Sequence, residues 1–146
     1  MMENKNWEIV LDHRCLLGEG PVWDVASRRI LWVDILECDV HQFFPENKEH
    51  KIFKADSMVG AVAVRAAGGI IAALQKGFAE IDLDKGTTHL IKDPEAHLLD
   101  NRFNDGKCDP KGRFWAGTMS ISGKTGAGNL YVLDTDLSVS VKIENV

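Results

Sequence analysis

Two segments hold the side chains whose types and company could do chemistry. In Leu16-Leu17-Gly18-Glu19-Gly20-Pro21-Val22-Trp23-Asp24 one carboxylate, Glu19, stands between glycines. In Asn101-Arg102-Phe103-Asn104-Asp105-Gly106-Lys107, amide, guanidinium and carboxylate groups follow closely on one another. Brought together, these groups suit a hard, oxygen-loving cation and a polyhydroxylated ligand. Taken singly, each has a plainer reading. Glu19 is then a solvated turn residue, Arg102 an ion-pair partner of Asp100 or Asp105, and Asp105 part of an Asn-Asp-Gly turn that caps its own backbone.

Other chemistries find little support. His13, His41, His50, His89 and His97 show neither HxH nor HExxH spacing, which argues against a histidine-bound zinc. Cys15, Cys38 and Cys108 are odd in number, widely spaced and without a CxxC pair. They are read as free thiols, largely buried in strands, rather than as a disulfide framework or zinc site. No GxSxG occurs, and no cysteine and histidine pair persuasively, so a covalent serine or cysteine mechanism has no basis.

The elements that must carry the two segments are short strands. Runs rich in Val, Ile, Leu, Phe and Trp are broken by Gly, Pro, Asp or Asn, and helical periodicity is scarce, so an all-β fold is expected. GPVWDVASRRILWVD from Gly20 lies over GAVAVRAAGGIIAAL from Gly60 and DGKCDPKGRFWAGT from Asp105. Each reads as strand, tight turn, apolar strand, and each is followed by two more strands. The period of roughly 40–45 residues fits four-stranded propeller blades, with a β-sandwich as the alternative. The expected layout is blade one over 20–54, blade two over 59–92 and blade three over 103–144. A surplus strand, Trp7 to Asp12, is of the kind that seals a ring from one terminus. In a propeller, the loops entering the innermost strands open on one face of the central channel, so the two polar segments would converge there. Lys107, Trp23, Trp32 and Trp115 fall in strands and read as blade packing.

Composition narrows the partners. With 146 residues, 45% hydrophobic, a formal net charge of -5 and a pI near 5.5, the chain can build a core but offers no basic footprint for nucleic acid or anionic membrane. No leader pattern or spanning run is visible, and a cytoplasmic location is expected.

In order, spacing and blade position, L-G-E-G-P-V-W and N-R-F-N-D-G-K resemble signature segments of the gluconolactonase, regucalcin and senescence-marker-protein family. So does D-P-x-G-R-F-W-A-G-T-M from Asp109 to Met119, and the resemblance covers essentially the whole chain. It implies a six-bladed β-propeller of which three four-stranded blades are present here. It also implies metal-dependent hydrolysis of sugar lactones with one divalent cation (Ca, Zn, Mn or Mg). By position, Glu19 corresponds to the first metal ligand, and Arg102 and Asn104 to residues that bind lactone oxygens and sugar hydroxyls. Asp105 is carried with them as a substrate-binding candidate, on equal terms with its turn reading. The family's chemistry is attack by water on a metal-polarised carbonyl, with a carboxylate accepting the proton.

The family's remaining ligands, an asparagine and an aspartate that serves as general base, would fall beyond Val146, so no catalytic residue is expected within this chain. Ser120, Ile121, Ser122 and the Gly123 to Gly128 turn depart from relatives that carry substrate-touching acidic residues there. The alternative is a non-catalytic, calcium-binding regulatory or interaction module of the regucalcin kind. Exposed apolar flanks on blades one and three lead to an expectation of self-association, a two-fold pair closing a ring of six blades.

Overall fold

The computed structural model describes residues 7–146 and contains no helix among them. Twelve strands form three antiparallel meanders of four. The first contains β1 (Gly18–Asp24), β2 (Arg29–Asp34), β3 (Asp39–Phe44) and β4 (Glu49–Lys54). The second contains β5 (Val59–Val64), β6 (Ile70–Leu74), β7 (Gly77–Asp82) and β8 (Thr87–Lys92). The third contains β9 (Asn101–Cys108), β10 (Phe114–Ser120), β11 (Asn129–Leu133) and β12 (Val139–Glu144). The first strands of the sheets lie side by side with β5 between β1 and β9, and the last strands are largely exposed, the radial arrangement of propeller blades.

The middle blade is buried on both faces, which explains why its sequence reads as continuous apolar runs rather than alternation. The strand period of two sorts its side chains. Val62, Ile70, Ala72 and Leu74 join Leu31, Val33 and Val40 of blade one. Ala61, Ala63, Ile71 and Ala73 meet Phe103, Phe114 and Tyr131 of blade three. Small residues on one side thus receive large rings on the other, and Phe78 packs on Phe103 with ring centroids 4.6 Å apart.

Two expectations need correction. Residues 7–12, read as a strand, form none: the segment is irregular through residue 15 and none of the three sheets takes it on as a fifth strand. A strand exists only with a partner edge, and the end of this segment is tied elsewhere. Leu16 and Leu17 N–H donate to the Asp34 carboxylate (2.7 and 3.0 Å), and Ile35 N–H donates to the Leu17 carbonyl. Burial opposes ionisation of Asp34, but these backbone donors outweigh it and hold its pKa below the usual carboxylate range. The cysteines are also less buried than expected. Cys15 and Cys38 are half-buried outside strands, and Cys108, at the end of β9, is exposed.

No helix of the described residues is long and apolar enough to cross a membrane.

Each inner strand carries an irregularity near its start. Gly20 and Pro21 stand opposite one residue of β2, Gly60 is extra against β6, and Asn104 is extra against β10. Gly20 adopts φ of 58°, a left-handed conformation costly for any residue with a Cβ. Gly60 is needed for space instead. A Cβ there would collide with the Phe103 carbonyl and come within 2.9 Å of the Asn104 nitrogen. Gly60→Ala should therefore destabilise the protein by about 1–3 kcal/mol, the usual cost of overpacking. Gly117→Ala, which has open space and ordinary φ, should stay within about 0.5 kcal/mol of wild type. Urea unfolding midpoints check the pair, and equal midpoints would refute the contact's importance.

Candidate functional site

The polar segments assigned to entering loops are in fact strand. β1 begins at Gly18 and β9 at Asn101, so Glu19, Arg102, Asn104 and Asp105 all lie in inner strands. The bulges reconcile the two descriptions, because they break the ladder where these residues sit. Counting back from the hairpins aligns the blades. Glu19, Gly60 and Asn104 each lie five residues before the position that opens the first hairpin, namely Asp24, Arg65 and Asp109. Glu19 and Asn104 thus hold the same place in blades one and three, while blade two offers only a bare backbone. The Gly60 contact with Phe103 and Asn104 puts the starts of β5 and β9 at one end. Leu17 and Met58, which precede β1 and β5, pack on one core cluster.

Glu19 is exposed and has no hydrogen-bond or ion-pair partner among the described residues. Arg102 is the opposite case, only 8% exposed. Its Nη1 donates to the Phe103 carbonyl and to Asn104 Oδ1, both at 3.0 Å, and no carboxylate pairs with it among the described residues. The ion pair with Asp100 or Asp105 does not form. Asp100 accepts from the Ser120 and Ser122 hydroxyls, both at 2.6 Å, and Asp105 accepts from the N–H of Gly106 at 2.7 Å. Asp105 does cap its own backbone, yet within a strand rather than a turn. Burial lowers the Arg102 pKa, although a guanidinium remains charged at neutral pH. A desolvated cation with neutral acceptors only is an arrangement that an incoming oxygen ligand would relieve. Glu19 makes no hydrogen bond or ion pair with Arg102 or Asn104, so the structure joins the latter two directly and sets Glu19 at the equivalent strand position two blades away.

Sequence reasoning missed the group that holds this strand start in place. Glu95, 7% exposed, accepts from Asn101 Nδ2 (2.9 Å), Thr118 Oγ1 (2.9 Å), Asn129 Nδ2 (2.6 Å) and Tyr131 Oη (3.0 Å). Burial, and after it the hydrogen bond to Glu95, raises the Tyr131 pKa and keeps the phenol a donor. Nothing in the loop Asp93-Pro94-Glu95 marks that residue, since its four donors come from three strands, β9, β10 and β11. The loop before β5 holds a second polar group, the buried Ser57 hydroxyl, which has no hydrogen-bond partner among the described residues. Trp23, read as packing, is about half exposed.

Three four-stranded antiparallel meanders, set side by side through their first strands, are the blades of a β-propeller. The chain belongs to the SMP-30/Gluconolactonase/LRE-like family, whose profile matches residues 17–146. It is 41% identical over 134 residues to a Bacillus subtilis protein provisionally named sugar lactone lactonase YvrE, covering 92% of this chain and 46% of that one. Pentonolactonase XacC of Haloferax volcanii is 35% identical over 133 residues, covering 90% and 43%. The crystal structure of regucalcin, a calcium-binding protein from Agrobacterium tumefaciens, superposes with a TM-score of 0.88 at 30% identity, covering 94% and 46%. The chain spans a little under half the length of these relatives.

Removing the Glu95 carboxylate should loosen blade three. Glu95→Ala leaves several buried donors without an acceptor, each worth about 1–3 kcal/mol, so a loss of more than about 2 kcal/mol is expected. Thermal unfolding tests this, and an unchanged Tm would show that the network carries no weight.

Proposed function

We propose that this chain supplies one side of a sugar-lactone hydrolase site in a propeller of the six-bladed type, with Glu19 as a metal ligand and Arg102 and Asn104 binding the lactone. The observation that carries the reading is Arg102, buried with no counter-charge among the described residues and bonded to Asn104, which holds the strand position matching Glu19. The relatives' names, lactonase and pentonolactonase, supply the substrate class.

Glu19 fits a divalent cation in type, as a free oxygen donor, but a hard cation takes six or more oxygens and one carboxylate is the first of several needed. When bound, such a cation supplies Lewis-acid polarisation of a carbonyl and acidifies water. The chain's own residues orient the substrate. The Arg102 N–H groups not used toward Phe103 and Asn104 face a lactone or hydroxyl oxygen, and the Asn104 amide, itself held by Arg102, offers N–H donors to the sugar. Asp105 stands next to them, its second carboxylate oxygen free to accept from a hydroxyl. The general base is assigned to none of these residues and is placed outside the segment. A calcium-binding, non-catalytic role is the second reading, favoured by the regucalcin relative being described as calcium-binding.

If this is right, gluconate binding in the presence of Mn should weaken at least tenfold in Arg102→Met, about 1.4 kcal/mol or more. Glu19→Gln should lose the thermal stabilisation that Mn or Ca gives the wild type. Calorimetry showing equal gluconate affinity in Arg102→Met defeats the substrate role. Calcium stabilisation without any lactone or gluconate binding supports the second reading.

The same proposal has a second copy of the chain face this site across a closed ring, bringing a second Glu19 toward the cation but no general base. Met119, Val141 and Ile143 of blade three are 37%, 44% and 51% exposed, and Trp23 and Ile52 of blade one are 49% and 48% exposed. Light scattering at micromolar concentration should show a dimer. A monomer rules the closure out, and family-like turnover of gluconolactone by this chain alone rules out a general base outside the segment.

A further inference from the structure

We propose that His13, Cys15 and His41 form a binding site for a thiophilic divalent transition metal of the zinc class, separate from Glu19. Their candidate ligand atoms all lie within 4.8 Å of one another. Cys15 Sγ stands 3.9 Å from His41 Nε2. In a tetrahedral zinc site with bonds of 2.0–2.3 Å, ligand atoms are about 3.3–3.6 Å apart. The Cys15 and His41 atoms therefore need only a few tenths of an ångström, and the remaining closure falls to His13. That residue is exposed and sits on a stretch with no ladder bonds to hold it back.

His41 is already held as a ligand would be. It is fully buried, its ring stacks on Trp32 at 4.8 Å with planes 4° apart, and its Nδ1 lies 3.0 Å from His50 Nε2. With the Nδ1 proton donated to His50, the Nε2 lone pair faces Cys15, the tautomer and outer partner that metal-bound histidines use. Two imidazoles and a thiolate select zinc or cobalt over calcium or magnesium and leave a fourth position to water. Coordination would replace the Cys15 S–H bond by a sulfur–metal bond, releasing that proton to solvent. It would also pin the chain on the blade-one face that looks away from blade two, just ahead of the Leu16 and Leu17 bonds to Asp34.

Cobalt(II) titration of the full 146-residue chain tests this. A near-ultraviolet sulfur-to-cobalt charge-transfer band should appear and saturate at one cobalt per chain. It should vanish in Cys15→Ser, weaken at least tenfold in affinity in His13→Ala, and persist in Glu19→Gln and in Cys38→Ser/Cys108→Ser. Both ligand variants alter residues outside strands, and circular dichroism confirms that they fold. Absence of the band, its survival in Cys15→Ser, or unchanged affinity in His13→Ala overturns the site. Persistence in Glu19→Gln keeps the result independent of the lactone reading.

Discussion

The site depends on how closely β5 can approach β9. Gly60 lets its backbone rest on the Phe103 carbonyl and the Asn104 nitrogen, and this contact fixes the height of the bulge that presents Asn104. Asn104 in turn receives the Arg102 guanidinium, whose other bond goes to that same Phe103 carbonyl. One carbonyl is thus shared between inter-blade packing and the candidate ligand-binding arginine. A side chain at position 60 would shift the blade and the site by a single displacement. Blade two's lack of a functional group at the Glu19 and Asn104 position is the condition for that approach rather than an omission.

Burial of Arg102 creates a cost that the surrounding blade must bear. The charge is removed from water with no ion-pair partner among the described residues, and the local stability that tolerates it comes from a few strong anchors. Glu95 gathers four donors beneath the start of β9. Asp109 ties the first hairpin of the blade by accepting from Arg113 Nε (2.7 Å), Trp115 Nε1 (3.0 Å) and two backbone N–H groups. Burial opposes ionisation of Asp109, and these donors more than reverse it, lowering its pKa. Stability from such a depressed carboxylate is present above its unfolded pKa and fades as pH falls, so blade three is tied most firmly near neutrality.

The blades were legible because strand period, turn glycines and the repeat all point the same way. Gly69 and Gly112 take positive φ in the turns where the sequence places them. Alignment by residue type put Gly20, Gly60 and Asp105 in one column, whereas the hairpins align Glu19, Gly60 and Asn104. The turn of blade one is one residue longer, and a glycine at the bulge of two blades drew the register one place off. Strand starts failed for a related reason. Gly18–Gly20 and Asn101–Asp105 read as loop residues, yet a bulge lets glycine, proline and asparagine sit inside a ladder without holding its bonds.

Local sequence singles out the two polar segments and passes over the histidines for one physical reason. Glu19, Arg102 and Asn104 sit within contiguous motifs, so local sequence carries their signature. His41 and His50 meet only because β3 and β4 pair with Phe43 opposite His50, which sets the two imidazoles on one face of the blade. His13 and Cys15 reach that face through a segment that no strand rule covers, since its path is set by Asp34, some twenty residues further on. Ligands assembled across a meander are spaced by hairpin length, not by helix or loop period. In blades of this kind, a histidine-poor spacing pattern is therefore no argument against a histidine-bound metal.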